Sequence, residues 1–397
     1  MHIFGRDKDI RRIQRRLEEK SVIFVAERRI GKTTVLHLLL EKQQSECIMI
    51  YRDLEKIKSV DELEREVYKS ISDYISTKEK VKLKGLDKLG QFLSNIETRE
   101  MKYTHSKDWK NGFENAIRRV CELTDKRVVF LWDELPYMLQ NIHQQDIKNN
   151  TRYALDIVDI LRTLSNEVKN LRFILTGSIG LHHIEKLITK DTTSNPFNNM
   201  DRIELKPLKR KYAQEMIHYH MKREEIEISE QDTNLIIDMI YEKCDGIPFY
   251  MERVIKRLSV SDEEIIDYSV VQDEIELMIV DGKNELEMEH FVKRLEIYYE
   301  GSIVDVNGNE ILISSLAKSL LDYFASSDKY LTQEMCFAYL KTLYPIDDIT
   351  VVQELIKLLI KDYYIQANQN KEYQFTFSVI KRWWLKNEVS IGGGLNG

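Results

Sequence analysis

The stretch Ser21-Val-Ile-Phe-Val-Ala-Glu-Arg-Arg-Ile-Gly-Lys-Thr-Thr34 predicts the fold of this chain. Its apolar first half is typical of a short buried strand, and the rest is typical of a loop that leads into a helix. Backbone N–H groups of such a loop and the helix N-terminus bind phosphate groups. We expect Lys32 to reach the β- and γ-phosphates of a nucleotide and the Thr33 hydroxyl to bind Mg²⁺. The predicted nucleotide contacts in this loop are Ala26, Arg28, Arg29, Ile30, Gly31, Lys32, Thr33 and Thr34.

One position departs from the phosphate-loop pattern G-x-x-x-x-G-K-[ST], because Ala26 stands where the pattern has glycine. Alanine is small, and the loop can form if the backbone φ at Ala26 is negative, so we interpret it as a tolerated variant. The alternative is a Gly-Lys-Thr sequence that begins a helix by chance, and a second motif argues against it.

The second motif, Val128-Val-Phe-Leu-Trp-Asp-Glu134, is a buried strand that ends in two carboxylates. Asp133 can bind Mg²⁺ together with Thr33, and Glu134 can polarise the water that attacks the γ-phosphate. Lys32 and Glu134 are therefore the predicted catalytic residues, and Thr33 and Asp133 are the predicted metal ligands. The alternative is a helix N-terminus where acidic residues complement the helix dipole.

A further strand, Phe173-Ile-Leu-Thr-Gly-Ser178, ends in small polar residues. Thr176 or Ser178 can contact the γ-phosphate or the attacking water and so respond to its presence. The alternative, which does not exclude that role, is a strand-to-helix turn with Ser178 as its N-cap.

Composition sets outer bounds on the function. The chain has 397 residues, 43% apolar and 31% charged, which is ordinary for a globular protein of two or three domains. No segment is apolar over the length that spans a bilayer, and the N-terminus lacks an apolar signal region, so we expect a cytoplasmic protein without membrane contact. The four cysteines lie far apart, and we expect buried thiols rather than disulfides or zinc ligands.

Charge gives little support for nucleic-acid binding, since the net charge of −7 creates no general attraction to phosphate backbones. A basic run, Arg11, Arg12, Arg15, Arg16 and Lys20, falls on an N-terminal helix. We interpret it as a solvated face, with a nucleic-acid or partner surface as the alternative.

Strands alternate with helical patterns through the first half of the chain, at 22–25, 47–51, 127–132, 171–175 and 202–205. Such alternation predicts an α/β P-loop NTPase fold, in which a parallel sheet is flanked by helices. We expect the P-loop core to span residues 1–206, with a helical insert at about 60–125. A helical lid with connecting helices is predicted for 207–300, a winged-helix domain for 301–390, and a flexible tail for 391–397.

The predicted winged helix consists of helices at 316–324, 332–341 and 350–361, followed by strands at 364–367 and 373–377. Its third helix carries only two lysines, Lys357 and Lys361, and acidic residues offset the basic ones across the module. We therefore favour contact with a protein partner and keep DNA binding as the alternative.

Five motifs in order resemble the STAND branch of the AAA+ ATPases, close to the archaeal-type ATPases. They are Phe4-Gly5-Arg6, the loop at 28–33, Trp132-Asp-Glu-Leu-Pro-Tyr137, Leu175-Thr-Gly-Ser-Ile-Gly180 and Asp245-Gly-Ile-Pro-Phe-Tyr250. The resemblance covers residues 1–260 and implies ATP or ADP with Mg²⁺, an adenine flanked by Phe4, Gly5 and Arg6, and a lid whose Gly246-Ile-Pro248 turn contacts the nucleotide through Pro248 and its neighbours. In this branch the lid moves when the γ-phosphate is present or lost. Arg202 is a candidate arginine finger by position only.

These patterns together favour an ATP-binding molecular switch that hydrolyses ATP slowly and couples nucleotide state to the winged helix and to a protein partner or self-association. The resemblance suggests roles in prokaryotic signalling or defence. One alternative is an ATP-gated DNA-binding regulator, which salt-sensitive DNA affinity would favour. Another is a scaffold that binds nucleotide without turnover, in which Glu134→Gln changes nothing.

Overall fold

The computed structural model describes residues 3–42, 45–77, 109–177, 180–189, 197–228, 231–261, 263, 265–280 and 284–389. The middle of the predicted insert at 78–108, Ser178 and the predicted tail at 391–397 lie outside these residues. The chain divides into two compact units. The first contains Arg6–Leu205, and the second contains the chain from Lys206 onward together with the segment that ends at Gly5. The predicted domain boundary at residue 300, which falls inside the second unit, stays a prediction.

A five-stranded sheet forms the centre of the first unit. Its strands are β1 Val22–Val25, β2 Cys47–Asp53, β3 Arg127–Asp133, β4 Leu171–Leu175 and β5 Asp201–Glu204. They are all parallel and lie in the order β2-β3-β4-β1-β5. The predicted parallel sheet is thus confirmed, and each strand begins and ends within two residues of its predicted bounds.

The strands are almost continuously apolar because helices cover both faces of the sheet. Val128–Trp132 in β3 is at most 1% exposed at every residue, and the rings of Phe130 and Phe173 stack at 5.9 Å between centroids. The flanking helices are α1 Asp7–Leu17, α2 Lys32–Glu41, α3 Val60–Thr77, α4 Trp109–Glu122, α5 Leu135–Asn149, α6 Tyr153–Glu167 and α7 Leu181–Ile188. The carboxyl ends of the strands meet at one edge of the sheet, and the phosphate loop, Asp133 and Thr176 lie there.

Two helices of the predicted insert, α3 and α4, pack against each other. The Tyr68 hydroxyl donates a hydrogen bond to the carbonyl oxygen of Gly112 at 3.0 Å. Leu63, Val67 and Ile71, which the helical spacing places on one face of α3, are all buried. The described parts of the insert are therefore helical, as predicted.

The second unit is mostly helical. It contains α8 Arg210–Arg223, α9 Thr233–Lys243, α10 Pro248–Leu258, α11 Tyr268–Val280, α12 Glu289–Tyr298, β6 Ser302–Val304, β7 Glu310–Leu312, α13 Ile313–Ser326, α14 Gln333–Leu343, α15 Ile349–Lys361, β8 Ile365–Ala367, β9 Tyr373–Phe375 and α16 Ser378–Asn387. From α13 to β9 the element order is the three helices and hairpin that the sequence predicts. The antiparallel hairpin β6–β7, with only three residues in each strand, was not predicted.

The cysteines and the two C-terminal tryptophans are buried. All four cysteines are buried free thiols, as expected. Trp383 and Trp384 of α16 are buried, which fits a packed C-terminal helix rather than exposed aromatic rings. Within the described ranges, no helix combines the length and the apolar character needed to cross a lipid bilayer.

Candidate functional site

The phosphate-loop sequence connects β1 to α2 with two residues in the left-handed region. Arg29 has φ of 71° and Gly31 has φ of 99°. A Cβ at Gly31 would meet only Thr34, at 3.8 Å, so the backbone conformation rather than lack of space requires glycine here. The φ at Ala26 is negative, which satisfies the condition under which alanine replaces the motif glycine.

The Lys32 ammonium is buried against its own loop. It donates hydrogen bonds to the carbonyl oxygens of Ala26 at 3.1 Å and Glu27 at 3.0 Å. The buried Glu27 carboxylate accepts a hydrogen bond from the backbone N–H of Arg28 at 2.6 Å. Sequence reasoning missed Glu27, because the motif leaves that position unspecified. It shapes the loop through its carbonyl and its carboxylate.

Arg6 supports the same loop from the start of α1. Its buried guanidinium donates to the carbonyl oxygen of Ile30 at 2.7 Å and forms an ion pair with Asp9 at 3.2 Å. Burial lowers the pKa of the Arg6 guanidinium, and the charge of Asp9 opposes that shift. Arg6 therefore fixes a loop carbonyl by a long-range contact that the sequence pattern did not reveal.

Phe4 and Gly5 belong to the second unit and contact α8. The Phe4 ring lies 5.5 Å from the ring of Tyr219, centroid to centroid. Gly5 has φ of 68°, and a Cβ there would lie 2.6 Å from the Tyr212 ring. The close approach of Tyr212 and the positive φ both require glycine at this position.

Asp133 contacts both α2, which follows the phosphate loop, and the residue that follows β4. Its buried carboxylate accepts a hydrogen bond from the Thr33 hydroxyl at 2.6 Å, on Oδ2. The other oxygen, Oδ1, accepts from the buried Thr176 hydroxyl. The two predicted metal ligands are thus in direct contact, although 100 residues separate them in the sequence.

Thr176 also holds the acidic segment through its backbone. Its N–H donates to the carbonyl oxygen of Trp132 at 3.0 Å, and its own carbonyl oxygen accepts from the N–H of Leu135 at 3.0 Å. At the next residue, Gly177, a Cβ would lie 2.4 Å from Cδ of Pro136. The end of β4 is therefore packed tightly on the segment that carries the two carboxylates.

Glu134 adopts a left-handed conformation, with φ of 57° and ψ of 32°, directly before the first turn of α5. For a residue with a side chain this conformation is unfavourable by about 1–2 kcal/mol. Its N–H donates to Oδ1 of Asp133 at 3.2 Å, and Pro136 in the first turn suits the start of the helix. Glu134 is only partly buried and forms no side-chain cap of α5. Capping, a structural role typical of such a position, therefore does not account for its conformation.

Two further residues at this sheet edge were not predicted as site residues, because the sequence pattern indicated only a strand that ends at residue 51. Asp53 is the register partner of Asp133 on the neighbouring strand. Tyr51 precedes it, and burial, with the negative charges of Asp133, Asp53 and Glu134, raises its pKa to about 12. Strand register, which a single sequence does not specify, brings these groups together.

The remaining predicted residues lie elsewhere. Pro248 occupies the first turn of α10, after Gly246 with φ of 66°. Arg202, the candidate arginine finger, lies on β5 and pairs with Glu185 at 3.4 Å. Ser178 lies outside the described residues.

The residues around Asp133 fit a magnesium ion. Thr33 and Asp133 offer only oxygen atoms, which Mg²⁺ prefers, and they lie at the N-terminus of a helix that attracts phosphate. Lys32 lies within the same loop, so a triphosphate and its cation can share these groups.

The sheet, the loop and the acidic strand end define the class: the chain has the α/β fold of the P-loop ATPases, followed by a helical C-terminal part. Among solved structures it is similar to a Walker-type ATPase of Pyrococcus abyssi, with a TM-score of 0.65 and 18% identity over 96% of this chain and 95% of that chain. It is also similar to the ORC2 protein of Aeropyrum pernix in its ADPNP–ADP complexes, with a TM-score of 0.53 and 11% identity over 98% and 94% of the two chains. No family model matches the sequence, and no curated protein matches it. At such low identities the likeness extends to the fold alone.

Proposed function

We propose that this chain is an ATP-binding, Mg²⁺-dependent molecular switch that hydrolyses ATP slowly. The observation that carries the proposal is the 2.6 Å contact between the Thr33 hydroxyl and the Asp133 carboxylate. It joins the helix that follows the phosphate loop to the acidic end of β3. This pairing of a hydroxyl with a carboxylate is what a P-loop enzyme uses to hold the metal of its nucleotide.

The residues take separate roles in this proposal. Backbone N–H groups of the loop bind the phosphates, and the Lys32 ammonium leaves its two loop carbonyls to neutralise the β- and γ-phosphates. Thr33 and Asp133 would hold Mg²⁺, which supplies positive charge to the phosphate oxygens. Glu134 orients the attacking water and accepts its proton, while Thr176 fixes the orientation of Asp133.

We further propose that the second unit responds to nucleotide state through the turn before α10. Asp245 in this turn has φ of 52°, and its carboxylate accepts hydrogen bonds from the Ser378 hydroxyl at 3.0 Å and the Val379 N–H at 2.8 Å. Arg382 of α16 donates to the carbonyl oxygen of Lys243 at 2.5 Å. A shift of this turn would therefore move the start of α16, which favours a mechanical link to the C-terminal helices.

A protein partner fits the exposed side chains of the second unit better than DNA does. Val304, Val306 and Leu312 on or beside the β6–β7 hairpin are more than half exposed, at 69%, 59% and 56%. Neighbouring apolar side chains of this kind mark protein contacts, whereas a DNA-reading surface is basic. The defence or signalling role remains a suggestion of the sequence resemblance.

The experiment is ATP turnover by the wild type beside Glu134→Gln, with retained nucleotide identified after purification. We expect slow hydrolysis by the wild type and retained ATP in Glu134→Gln, since that variant keeps the binding groups but lacks the base. The matched control is Glu41→Gln, the same substitution at the exposed end of α2, which should leave turnover unchanged. Lys32→Ala should lose γ-phosphate-dependent binding.

Three outcomes would overturn parts of the proposal. Near-normal ATP affinity in Lys32→Ala would refute the site assignment. Nucleotide binding without turnover in the wild type, unchanged by Glu134→Gln, would support the scaffold. A salt-sensitive DNA affinity that changes with ATP and is lost on substitution within α15 would support the DNA-binding regulator.

A further inference from the structure

We propose that the exposed face of α1 binds the phosphate backbone of a nucleic-acid duplex. Cations occur there at i, i+3, i+4, i+7 and i+8, which is the spacing of one helix face. All of them are exposed, and together with Glu19 they line a groove of about 400 Å³. This basic face consists of Lys8, Arg11, Arg12, Arg15 and Arg16.

The opposite face of α1 is fully used in packing. Ile10, Ile13 and Leu17 are at most 3% exposed, so the helix is anchored to the first unit along its whole length. The basic face is therefore presented on a fixed element. Binding there would require no ordering of the backbone, and this lowers the entropic cost of association.

The two acidic residues of α1 form their ion pairs with side chains outside the basic face. Asp7 forms its ion pair with Lys42 at 2.6 Å, and Asp9 pairs with Arg6 at 3.2 Å. Among the residues that the structure describes, Arg16 is the one member of the five that forms an ion pair, with Asp201 at 3.1 Å.

Within the described part of the chain, Lys8, Arg12 and Arg15 have no ion pair. Like charges at i,i+3 and i,i+4 destabilise a helix. The helix carries several such pairs, and the nearest acidic groups are Asp7, which interacts with Arg11, and Glu19, which also lines the groove. An external polyanion would remove this repulsion.

The chemistry of the surface favours a nucleic acid over an anionic membrane or an acidic protein. A membrane-bound amphipathic helix inserts its apolar face, and that face of α1 is buried. Protein interfaces have an apolar or aromatic centre, whereas residues 3–42 contain no exposed large apolar side chain. Four of the five cations are arginines, whose planar guanidinium matches phosphate oxygens in two parallel hydrogen bonds.

The dimensions also fit a duplex. Lys8 and Arg16 are eight residues apart, which corresponds to about 12 Å along a helix axis. About 12 Å of duplex carries roughly three to four phosphates per strand, so three or four contacts can form at once. The absence of aromatic rings from α1 argues against stacking on unpaired bases and for contact with the backbone alone. This surface is independent of the winged-helix alternative and of the ATPase proposal.

The test is fluorescence polarisation of labelled 30-base-pair DNA and RNA duplexes with the full chain, at 50 and 200 mM salt. Three to four contacts predict that affinity falls about 40- to 150-fold between these concentrations. Arg12→Gln with Arg15→Gln removes two contacts, so the slope of log affinity against log salt should fall by about 2. At 50 mM salt the affinity should fall on the order of 100-fold.

The matched control is Lys357→Gln with Lys361→Gln on α15, the same loss of charge in the predicted winged helix, and it should leave duplex affinity unchanged. Both double variants alter side chains outside the nucleotide site, and circular dichroism of each variant is the check that it is folded. Equal losses in both variants, or a loss only in the α15 variant, would overturn the proposal. So would absent binding at 50 mM salt, or displacement of the duplex by polyglutamate at equal charge, which would assign the face to an acidic protein.

Discussion

Two threonines donate hydrogen bonds to the Asp133 carboxylate, and their different burial predicts effects of different size from the same substitution. Thr176 is 2% exposed, whereas Thr33 is exposed. Thr176→Val keeps the shape of the side chain but removes the hydroxyl donor of Oδ1 at a buried site, and Oδ1 keeps only the 3.2 Å hydrogen bond from the Glu134 N–H. Loss of a hydrogen bond to a charged group should lower the free energy of unfolding by about 1.5–3 kcal/mol. Thr33→Val should lower it by about 0.5 kcal/mol, because water replaces the hydroxyl at an exposed site.

The stability gained from nucleotide should show the reverse order. At a concentration of Mg²⁺-ATP 100 times its Kd, binding should stabilise the wild type by about 2.7 kcal/mol. Thr176→Val keeps both metal ligands and should retain most of this gain. Thr33→Val lacks one ligand, and each tenfold loss of affinity removes about 1.4 kcal/mol of it.

The measurement is urea unfolding of the three proteins, followed by circular dichroism, with and without Mg²⁺-ATP. Thr350→Val, the same change at the exposed start of α15, is the control and should behave as the wild type does in ligand-induced stabilisation. The reasoning is refuted if Thr33→Val and Thr176→Val are equally destabilised without nucleotide. It is also refuted if Thr33→Val gains as much stability from Mg²⁺-ATP as the wild type.

Two further predictions concern the packing described above. Asp245→Ala should lower the free energy of unfolding of the second unit by about 1–2 kcal/mol in urea, because the first turn of α16 loses its hydrogen-bond acceptor. A loss of less than about 0.5 kcal/mol, as is usual for an exposed side chain, would contradict this. Burial raises the pKa of the Asp245 carboxyl in the folded state. The protonated carboxyl therefore adds to the free energy of unfolding fully below about pH 4, and this gain is lost as the pH rises through the raised pKa. Asp245→Asn should remove that part of the pH dependence of Tm. Gly177→Ala should lower the free energy of unfolding by about 1–3 kcal/mol, since the new Cβ would lie 2.4 Å from Pro136. Pro136→Ala should restore part of this loss in a double-mutant cycle, and additive effects of the two substitutions would argue against the contact.

The sheet was predictable because each strand is a short apolar run with its own polar boundaries. β1 and β4 match the predicted 22–25 and 171–175 at both ends. The phosphate loop and the acidic strand end were predictable because the spacing of their residues is set by the chemistry they serve. For the same reason Thr33 and Asp133, far apart in sequence, were expected to act together.

The support around these residues was not predictable, because it depends on strand order and on contacts between distant segments. The neighbours of Asp133 are Asp53 on β2 and Thr176 at the end of β4, and both follow from register. The hydrogen bond from Arg6 to the carbonyl of Ile30 uses a backbone atom, which has no residue signature. A single sequence therefore reveals the residues that carry the chemistry, but it does not reveal the residues that hold them in place.

The hydrogen bonds of α16 limit where the gene can be truncated or recombined without loss of folding. The first turn of α16 is completed by Asp245, 133 residues earlier. Further along the C-terminal part, Arg294 donates to the carbonyl oxygen of Asp362 at 2.9 Å, and the Tyr299 hydroxyl donates to its carboxylate at 2.8 Å. A gene fragment that starts near residue 300 would encode the last helices without these partners. Recombination that exchanges the C-terminal helices alone would therefore produce proteins of low stability. The segment from α9 to α16 should consequently be inherited as one unit.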